Sequence, residues 1–310
     1  MRIVLGTRGS DLARAQTALV EHALRLAFPT LEIAVEIIQT SGDEKSAVAF
    51  EAGTTAQGRK GMFTSEIERA LRDRRIDVAV HSAKDLPSET PPELEVVAAL
   101  VRAPVEDVLI AKAGRSLTSL PARATIATGS VRRQHQLRRV RPDLMVVDLR
   151  GNVPTRLRKL AANSWDGIIL ARAGLERLGY DCAAGELRFE EQIFRVEILP
   201  TTEFLPAGGQ GIVALEVRVD DEPARRALAA INHEETLLCL RAEREFLRLL
   251  QGDCGTPVGV NAKINGKRMT LHAQLFTDTQ SEPRSATLAS EAGAGEPEIL
   301  AARLLELING

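Results

Sequence analysis

The chain of 310 residues has few aromatic residues, few cysteines and no long apolar run. Aromatic residues make up 3% of the sequence, so its cores must be aliphatic, and stacking on exposed rings is not expected to be its main binding device. The three cysteines, Cys182, Cys239 and Cys254, are far apart and odd in number, which argues against a disulfide framework and a CxxC metal site. The opening residues, MRIVLGTRGS, lack the apolar segment of a secretory signal, and no segment approaches membrane-spanning length. We therefore expect a cytoplasmic protein in a reducing compartment.

Several widespread catalytic motifs are also missing from the sequence. There is no HExxH pair, no Walker A loop and no GxGxxG turn, and we predict no metal site. Residues 206–211, PAGGQG, are rich in glycine but lack the lysine of a phosphate loop. This segment is interpreted as a crossing of the backbone between domains.

Strand-like and helix-like segments alternate over the first two thirds of the chain. RIVLG near the start is a short apolar strand, and Ser10 is predicted to cap the helix that follows it. Residues 31–39 and 76–80 are further predicted strands, and the alternation restarts after residues 101–107. This order predicts α/β domains with parallel sheets and right-handed crossovers, whose ligands bind on loops at the carboxyl ends of the strands.

The character of the sequence changes from about residue 222. A long helical segment is followed by strand-like residues 257–264 and 268–276 and by a final helix, which predicts a third, smaller α+β domain. Cys254 lies just after the long helix, in the glycine turn LQGDCGTPVG. Cys239 lies in a leucine-rich helix and is expected to pack in a core, and Cys182 is given no role.

The largest anomaly of composition is a cationic stretch between Arg123 and Arg172. It holds ten arginines and one lysine against three aspartates, in a chain whose formal net charge is −2. Helix N-termini and the planar guanidinium group both favour anions, so an anion site is predicted at the arginines that begin helices or end a strand. These are Arg132, Arg133, Arg150 and Arg156. Arg138, Arg139, Arg141 and Arg158 fit a solvated helix face equally well.

A nucleic acid is the obvious alternative anion for these arginines. Against it, the sequence pI is about 6.3, aromatic residues are few and no recognition motif is present. A small molecule with several carboxylates fits a confined arginine cluster better.

A second polar group follows the predicted strand in VAVHSAKDLP, residues 78–87. Lys84 and Asp85 come at the carboxyl end of this strand, shortly after His81 and Ser82. A solvated loop with a Lys–Asp pair would explain this motif taken alone. Beside an arginine cluster, however, Asp85 would stay ionised and could stabilise a developing cation or carry a proton.

A third turn, GTRGS at residues 6–10, joins a predicted strand to a helix. It carries Arg8 and Ser10, and Ser10 suits both a helix cap and a ligand contact.

Taken together, these segments resemble one protein family. Eight stretches keep the order that the family has and extend over nearly the whole chain: TRGSDLA, GRKGMF, DVAVHSAKDLP, ATGSVRRQ, LRGNVPTRLRKL, ILARAGLERLG, LPAGGQG and GDCGTPVG. They are similar to the porphobilinogen deaminases, also called hydroxymethylbilane synthases.

The resemblance implies a function. The family joins four porphobilinogen molecules head to tail into hydroxymethylbilane, with release of ammonia, in tetrapyrrole biosynthesis. It implies a monomeric, cytoplasmic transferase that binds neither nucleic acid nor membranes. The rival hypothesis is a two-lobed anion-binding protein without catalysis.

The resemblance also implies a fold and a domain division. Two doubly wound lobes like those of periplasmic binding proteins would be followed by a smaller α+β domain. The first lobe would hold residues 1–103 and 201–220, the second residues 104–200, and the third domain residues 221–310.

The resemblance assigns roles to particular residues. Asp85 matches the catalytic aspartate, and Cys254 matches the cysteine that carries a dipyrromethane cofactor through a thioether. Contacts to the cofactor are implied for Ser10, Lys84, Asp85, Ser130, Arg132, Arg133 and Arg156. Substrate contacts are implied for Arg8, Arg150, Arg156 and Lys60.

Two positions depart from the family pattern. Ala56 stands where a second lysine of the family is often found, so only Lys60 is carried over from this loop. Asp253 stands before the cysteine where glycine is common, and its negative charge would raise the pKa of the thiol.

Overall fold

The computed structural model describes residues 1–39, 65–114, 116–251, 256–277, 282–293 and 295–310. Within these residues the chain forms three sheets, of five, six and three strands, each packed with helices. The first two sheets belong to two α/β lobes and the third to a smaller α+β domain, so the predicted fold class is confirmed.

The first lobe is built around the five-stranded sheet. Its elements are β1 (Arg2–Arg8), α1 (Asp11–Ala27), β2 (Glu32–Ile38), α2 (Ser65–Arg72), β3 (Val78–Ser82), β4 (Leu94–Ala99) and β11 (Val213–Arg218). The strand order is β2-β1-β3-β11-β4. Ser10 caps α1 as predicted, since its hydroxyl accepts from the Ala13 backbone N–H at 3.3 Å. The helix then buries Val20 and Leu24 in the core beneath the sheet.

The second lobe is built around the six-stranded sheet, whose order is β7-β6-β8-β5-β10-β9. Its elements are β5 (Asp107–Ala111), β6 (Thr125–Ala127), α3 (Val131–Val140), β7 (Met145–Val147), α4 (Val153–Ala162), β8 (Gly167–Ala171), α5 (Arg172–Arg177), β9 (Glu186–Phe189) and β10 (Gln192–Ile198). Four of these strands are short and almost fully apolar, as buried strands between helices are.

Both sheets are mixed, so the prediction of purely parallel sheets is wrong in this respect. β11 runs antiparallel to β3 and β4, and β5 runs antiparallel to β8 and β10. These two strands directly follow the two segments in which the chain crosses between the lobes. An entering strand takes its direction from the crossing, which the local pattern of residues does not encode.

The third domain packs α7 (Glu234–Leu249) and α8 (Glu296–Asn309) on an antiparallel sheet. The strands of this sheet are β12 (Val258–Asn265), β13 (Arg268–Leu275) and β14 (Arg284–Glu291), and β14 was not among the predicted strands. Cys239 is buried in this core, as expected.

The long helical segment from residue 222 is divided into two helices. α6 (Glu222–Ala229) ends before His233, whose ring nitrogen accepts from the Thr236 backbone N–H at 3.3 Å and caps α7. Ala224, Ala227 and Leu228 of α6 pack in the core of the first lobe. The predicted division assigns α6 to the third domain, residues 221–310, whereas the apolar side chains of α6 pack in the core of the first lobe.

A buried carboxylate joins the three parts of the molecule. Glu243 on α7 has no exposed surface and pairs with Arg102 through both oxygens, at 2.6 and 3.1 Å. It also accepts from the backbone N–H groups of Gly209 at 2.6 Å and Ala262 at 2.7 Å. Arg102 lies in the first crossing segment, Gly209 in the second, and Ala262 in the sheet of the third domain. A buried charge is tolerated because all of these partners converge on it.

Two glycines allow the second crossing segment to pass close to other backbone. Gly211 has φ +86°, and a Cβ there would lie 2.4 Å from the Ala103 carbonyl oxygen. Gly209 has φ +74°, and a Cβ there would lie 2.8 Å from the Lys84 backbone nitrogen. Glycine is required at both positions. The segment interpreted as a crossing between domains thus lies against the turn that carries Lys84 and Asp85.

The replacement Glu243→Gln tests this junction. Glutamine keeps the size of the side chain, but it removes the charge opposite Arg102 and brings an NH₂ group among N–H donors. We expect the free energy of unfolding to fall by about 3–5 kcal/mol, the usual loss when a buried ion pair is broken. The change is measured as a lower midpoint in urea.

The control is Glu298→Gln. Glu298 makes a bidentate pair with Arg241 in which both side chains are 39% exposed. Glu298→Gln should lower the free energy of unfolding by about 1 kcal/mol or less. Equal losses in the two variants would contradict a special role for Glu243.

Candidate active site

Lys84 and Asp85 lie in a short 3₁₀ turn, residues Ala83–Asp85, at the carboxyl end of β3. The Ala83 backbone N–H donates to the Ile212 carbonyl at 3.0 Å, which fixes the start of the turn on the second crossing segment. Ser82 exchanges hydrogen bonds with the buried side chain of Gln16 on α1, at 2.9 and 3.0 Å. Asp85 itself is exposed. The exposed carboxylate of Asp85 therefore lies on a turn that hydrogen bonds hold in place.

Two helix N-termini of the second lobe carry the predicted arginines. Ser130 caps α3, where its hydroxyl accepts from the Arg133 backbone N–H at 3.5 Å. Asn152 caps α4 in the same way, at 2.9 Å from the Thr155 nitrogen. Arg156, in the first turn of α4, donates through Nε to the Gly151 carbonyl at 2.7 Å. Both helices thus begin with positive charge added to the positive end of the helix dipole.

Arg132 and Arg133 share one buried counter-ion, Asp107. Their guanidinium groups lie 2.9 and 2.7 Å from its carboxylate, and Gln210 donates to it at 2.9 Å. Burial raises the pKa of Asp107, but the two arginines outweigh this effect and hold the pKa well below its usual range. Arg132 also donates to the Leu205 carbonyl at 2.7 Å. These arginines are therefore anchored inside the protein.

The cations of the two lobes lie close enough to influence one another. The Lys84 side chain is only partly covered, yet burial of its ammonium group lowers its pKa to about 8. Asp85 and Asp107 oppose this shift, whereas Arg133 and Arg156 add to it. Burial and Arg133 similarly lower the pKa of Arg156 to about 10, against the attraction of Asp85. Lys84 and Asp85 of the first lobe therefore lie opposite Arg133 and Arg156 of the second. The space between these two groups is called the cleft.

The cluster has more positive charge than its own acids neutralise. The Nε atoms of Arg132 and Arg133 are buried without a hydrogen-bond partner in the described part of the chain. No hydrogen bond or ion pair joins the side chain of Lys84 to another described residue. Lys84, Arg133 and Arg156 act on one another as like charges, so the arrangement fits a bound molecule with several carboxylates. A dipyrromethane, whose two pyrroles each carry an acetate and a propionate, meets this requirement.

Arg150 is arranged differently from the other predicted arginines. It follows β7, is about half exposed, and donates to Asp148 at 2.8 Å. Asp148 also acts on the pKa of Arg156, so an acid of the chain already lies among these cations. A substrate carboxylate would have to compete with Asp148 for Arg150.

The other predicted residues stand as follows. Arg8 ends β1, which pairs in parallel with β3, so Arg8 and the Lys84 turn follow neighbouring strand ends. Ser10 and Ser130 act as helix caps. Lys60 and Cys254 lie outside the described residues, and their roles stay predictions.

Three residues near the cluster were not identified from the sequence. Asp107, Asp148 and Gln16 are isolated polar residues at a strand start, a strand end and in a helix. The only signal in the sequence was the surplus of arginine between residues 123 and 172. It indicated that buried arginines would need acidic partners, but it did not indicate which acids.

Comparison with known proteins agrees with this geometry. The family model described as "Porphobilinogen deaminase, dipyromethane cofactor binding domain" matches residues 3–226, and "Porphobilinogen deaminase, C-terminal domain" matches residues 237–309. The chain belongs to the porphobilinogen deaminase family.

Relatives in this family are similar over most of their length. The porphobilinogen deaminase of Roseiflexus sp. strain RS-1 is 44% identical over 273 residues, which cover 88% of this chain and 85% of that protein. The porphobilinogen deaminase of Syntrophomonas wolfei is 45% identical over 271 residues, or 87% and 84% of the two chains. Among solved structures, the methionine binding protein MetQ has 12% identity and a TM-score of 0.43, over 76% of this chain and 92% of its own.

The pKa of Lys84 gives a test of the site's electrostatics. In the chain without cofactor, the ammonium group should lose its proton near pH 8 instead of near the ordinary value of 10.5. Between these two pH values the unfolded chain binds a proton that the folded chain does not. This lysine therefore makes the free energy of unfolding rise with pH across that window. Carbon-13 NMR of labelled lysine should show the shifted titration, absent from Lys84→Arg.

Attachment of an anionic group beside Lys84 should raise this pKa again, because nearby carboxylates favour the ammonium form. The same titration on cofactor-loaded protein measures this change. A Lys84 resonance that titrates above pH 10 in the cofactor-free chain would contradict the arrangement described here.

Proposed function

We propose that this chain is a hydroxymethylbilane synthase that joins four porphobilinogen molecules head to tail with release of ammonia. The observation that carries the proposal is that Lys84 and Asp85 lie opposite an arginine cluster whose positive charge exceeds that of the acids near it. Porphobilinogen brings two carboxylates with each unit, and the cluster supplies cations from both lobes. Membership of the porphobilinogen deaminase family supports this reaction.

The residues proposed to hold the dipyrromethane are consistent with the same geometry. Lys84, Arg132, Arg133 and Arg156 supply the cations, and Ser10 and Ser130 lie at the helix starts. Cys254 is proposed as the attachment point. When bound, the cofactor supplies the acceptor pyrrole, and its fixed position makes each coupling effectively unimolecular.

Cys254 is favoured as the attachment point because the other thiols are poorly suited. Burial raises the pKa of Cys182 to about 11 and that of Cys239 to about 12. Thiolate is the reactive form of cysteine, so these two residues remain inert at neutral pH.

Asp85 is proposed to act on the reacting pyrrole. Loss of ammonia from porphobilinogen leaves an electron-poor methylene carbon conjugated with the ring nitrogen. The exposed carboxylate of Asp85 would accept a hydrogen bond from the pyrrole N–H and stabilise this cation. It would also receive the proton that the ring carbon releases after coupling.

Arg8, Arg150 and Lys60 are proposed to bind the carboxylates of incoming substrate. Arg150 is suited to reversible binding because its bond to Asp148 is solvent-exposed, and such pairs are worth about 1 kcal/mol or less. An arriving carboxylate can therefore replace Asp148 at little cost.

We further propose that the chain acts as a monomer in the cytoplasm, without nucleic acid or membrane. All the groups proposed for the reaction come from one chain, and a thiol that must stay free for attachment suits a reducing compartment. No helix in the described ranges has the length and apolar character needed to cross a membrane. The alternative of an anion receptor without catalysis is not favoured, because it gives Asp85 no function.

The cofactor assignment predicts a modified cysteine. Purified protein should carry an added mass equal to two linked porphobilinogen units, located on the peptide that contains Cys254. Cys254→Ser should lack this mass and show no turnover, whereas peptides with Cys182 and Cys239 should be unmodified. Intact-protein and peptide mass spectrometry measure both results. An active protein with an unmodified Cys254 would overturn the assignment.

The role of Asp85 is tested with Asp85→Asn. The amide keeps the size of the side chain but neither balances a cation nor takes up a proton. We expect kcat to fall by about 10²–10⁴-fold, the range typical of a lost general acid–base group. Product is followed by absorbance after oxidation to porphyrin.

The matched control is Asp143→Asn. Asp143 pairs with Arg141 at 2.7 Å on the surface, away from the cluster, and its loss should leave kcat unchanged. Near-native turnover in Asp85→Asn would remove Asp85 from the mechanism.

A further inference from the structure

His81 opens the motif that carries Lys84 and Asp85, but the mechanism above gives it no part. Its side chain is buried, with 6% of its surface exposed, and points away from solvent. Its Nε2 lies 3.0 Å from a carboxylate oxygen of Glu216. Glu216, on the neighbouring strand β11, is 1% exposed. A buried acid of this kind is costly unless polar groups surround it, so this pair requires an explanation.

Arg244 on α7 makes a separate polar contact with the same loop. Burial lowers the pKa of its guanidinium and the Glu216 carboxylate acts in the opposite direction, although no ion pair joins these two described residues. Arg244 also donates through one terminal nitrogen to the hydroxyl of Thr90 at 2.8 Å. Its other terminal nitrogen is buried without a partner in the part of the chain that the structure describes.

Two hydrogen-bonded pairs, His81–Glu216 and Arg244–Thr90, therefore flank the Asp85 turn, and together they are called the polar cluster. His81 precedes Asp85 by four residues and Thr90 follows it by five. The cluster therefore holds the polypeptide at both ends of the loop that carries the carboxylate.

Apolar packing supports the same contact. Ala83, in the turn itself, shares a buried cluster with Leu240 of α7 and with Ile212 and Ala214. α7 ends at Leu249, and Cys254 follows five residues later. One helix thus packs against the Asp85 turn and leads directly to the proposed attachment cysteine.

We propose that this polar cluster is a positioning device that fixes the Asp85 carboxylate relative to the helix that leads to Cys254. The inference rests on the proposed function for its catalytic meaning. Its members act through Asp85 and do not contact substrate. Because no hydrogen bond or ion pair between described residues joins them to Arg132, Arg133 or Arg156, loss of the cluster should affect kcat and leave KM unchanged.

The test uses Thr90, which is partly exposed and can be changed without opening a core. Thr90→Val keeps the shape of the side chain and removes only the acceptor of the Arg244 bond. One lost hydrogen bond corresponds to about a three- to tenfold effect. We therefore expect kcat to fall about three- to tenfold, with KM within twofold of the wild-type value. Thr90→Ser keeps the hydroxyl and should restore kcat.

A second measurement does not depend on activity. The backbone N–H groups of Ala83 and Leu86 are hydrogen-bonded to Ile212 and to Ala83. Hydrogen exchange of the peptide that spans residues 81–90, followed by mass spectrometry, should be faster in Thr90→Val and normal in Thr90→Ser.

The matched control is Arg241→Gln, on the same helix. Arg241 pairs with Glu298 at 2.8 and 2.9 Å within the third domain, so kcat and exchange of the 81–90 peptide should both be unchanged. Unchanged kcat and exchange in Thr90→Val, or failure of Thr90→Ser to restore them, would overturn the proposal. A wild-type protein that forms no hydroxymethylbilane would contradict the proposed function, while the exchange measurement would still decide whether the cluster holds the turn.

Discussion

The buried ion pair between Glu243 and Arg102 is the interaction on which the relative placement of the three domains depends. A carboxylate with no exposed surface is stable only where several donors reach it, and its donors here come from both crossing segments and the third-domain sheet. Arg102 continues the connection by donating to the Gln210 carbonyl at 3.0 Å, and Gln210 donates to Asp107. The same chain of bonds thus extends from the third domain to the arginines of the second lobe. The placement of the third domain is therefore coupled through hydrogen bonds to Asp107, the counter-ion of the arginines at the cleft.

The balance of charge at the cleft explains why an anionic cofactor suits this protein. Asp107 compensates Arg132 and Arg133 only in part, since a single carboxylate faces two guanidinium groups. The low pKa of Lys84 has the same origin, because its burial is not offset by the acids nearby. A permanently attached polycarboxylate would supply this charge in every catalytic cycle. Asp85 can then remain the exposed carboxylate that faces the substrate.

Local signals in the sequence were sufficient to predict the elements that carry the site. Ser10 caps a helix as predicted, and the Lys84–Asp85 turn follows an apolar strand. The direction of β5 and β11 could not be predicted, because it depends on where the chain crosses between lobes. Glu243 and Asp107 could not be identified either. Their partners Arg102 and Gln210 are more than 100 residues away, and an isolated acid carries no local sign of burial. The division between α6 and α7 depended on a histidine cap, which the helical pattern around it concealed.

The constraints on the Asp85 turn bear on how one site could serve a lengthening substrate. The turn is bonded to the second crossing segment through Ala83 and packs against Gly209, and α7 covers it from the third domain. These contacts leave little freedom between the carboxylate and the helix that leads to Cys254. Across the cleft, in contrast, no hydrogen bond or ion pair between described residues joins Asp85 or Lys84 to Arg156. Space for additional pyrroles is therefore easiest to obtain on this side of the two lobes, where the opposing charged groups interact through electrostatics alone.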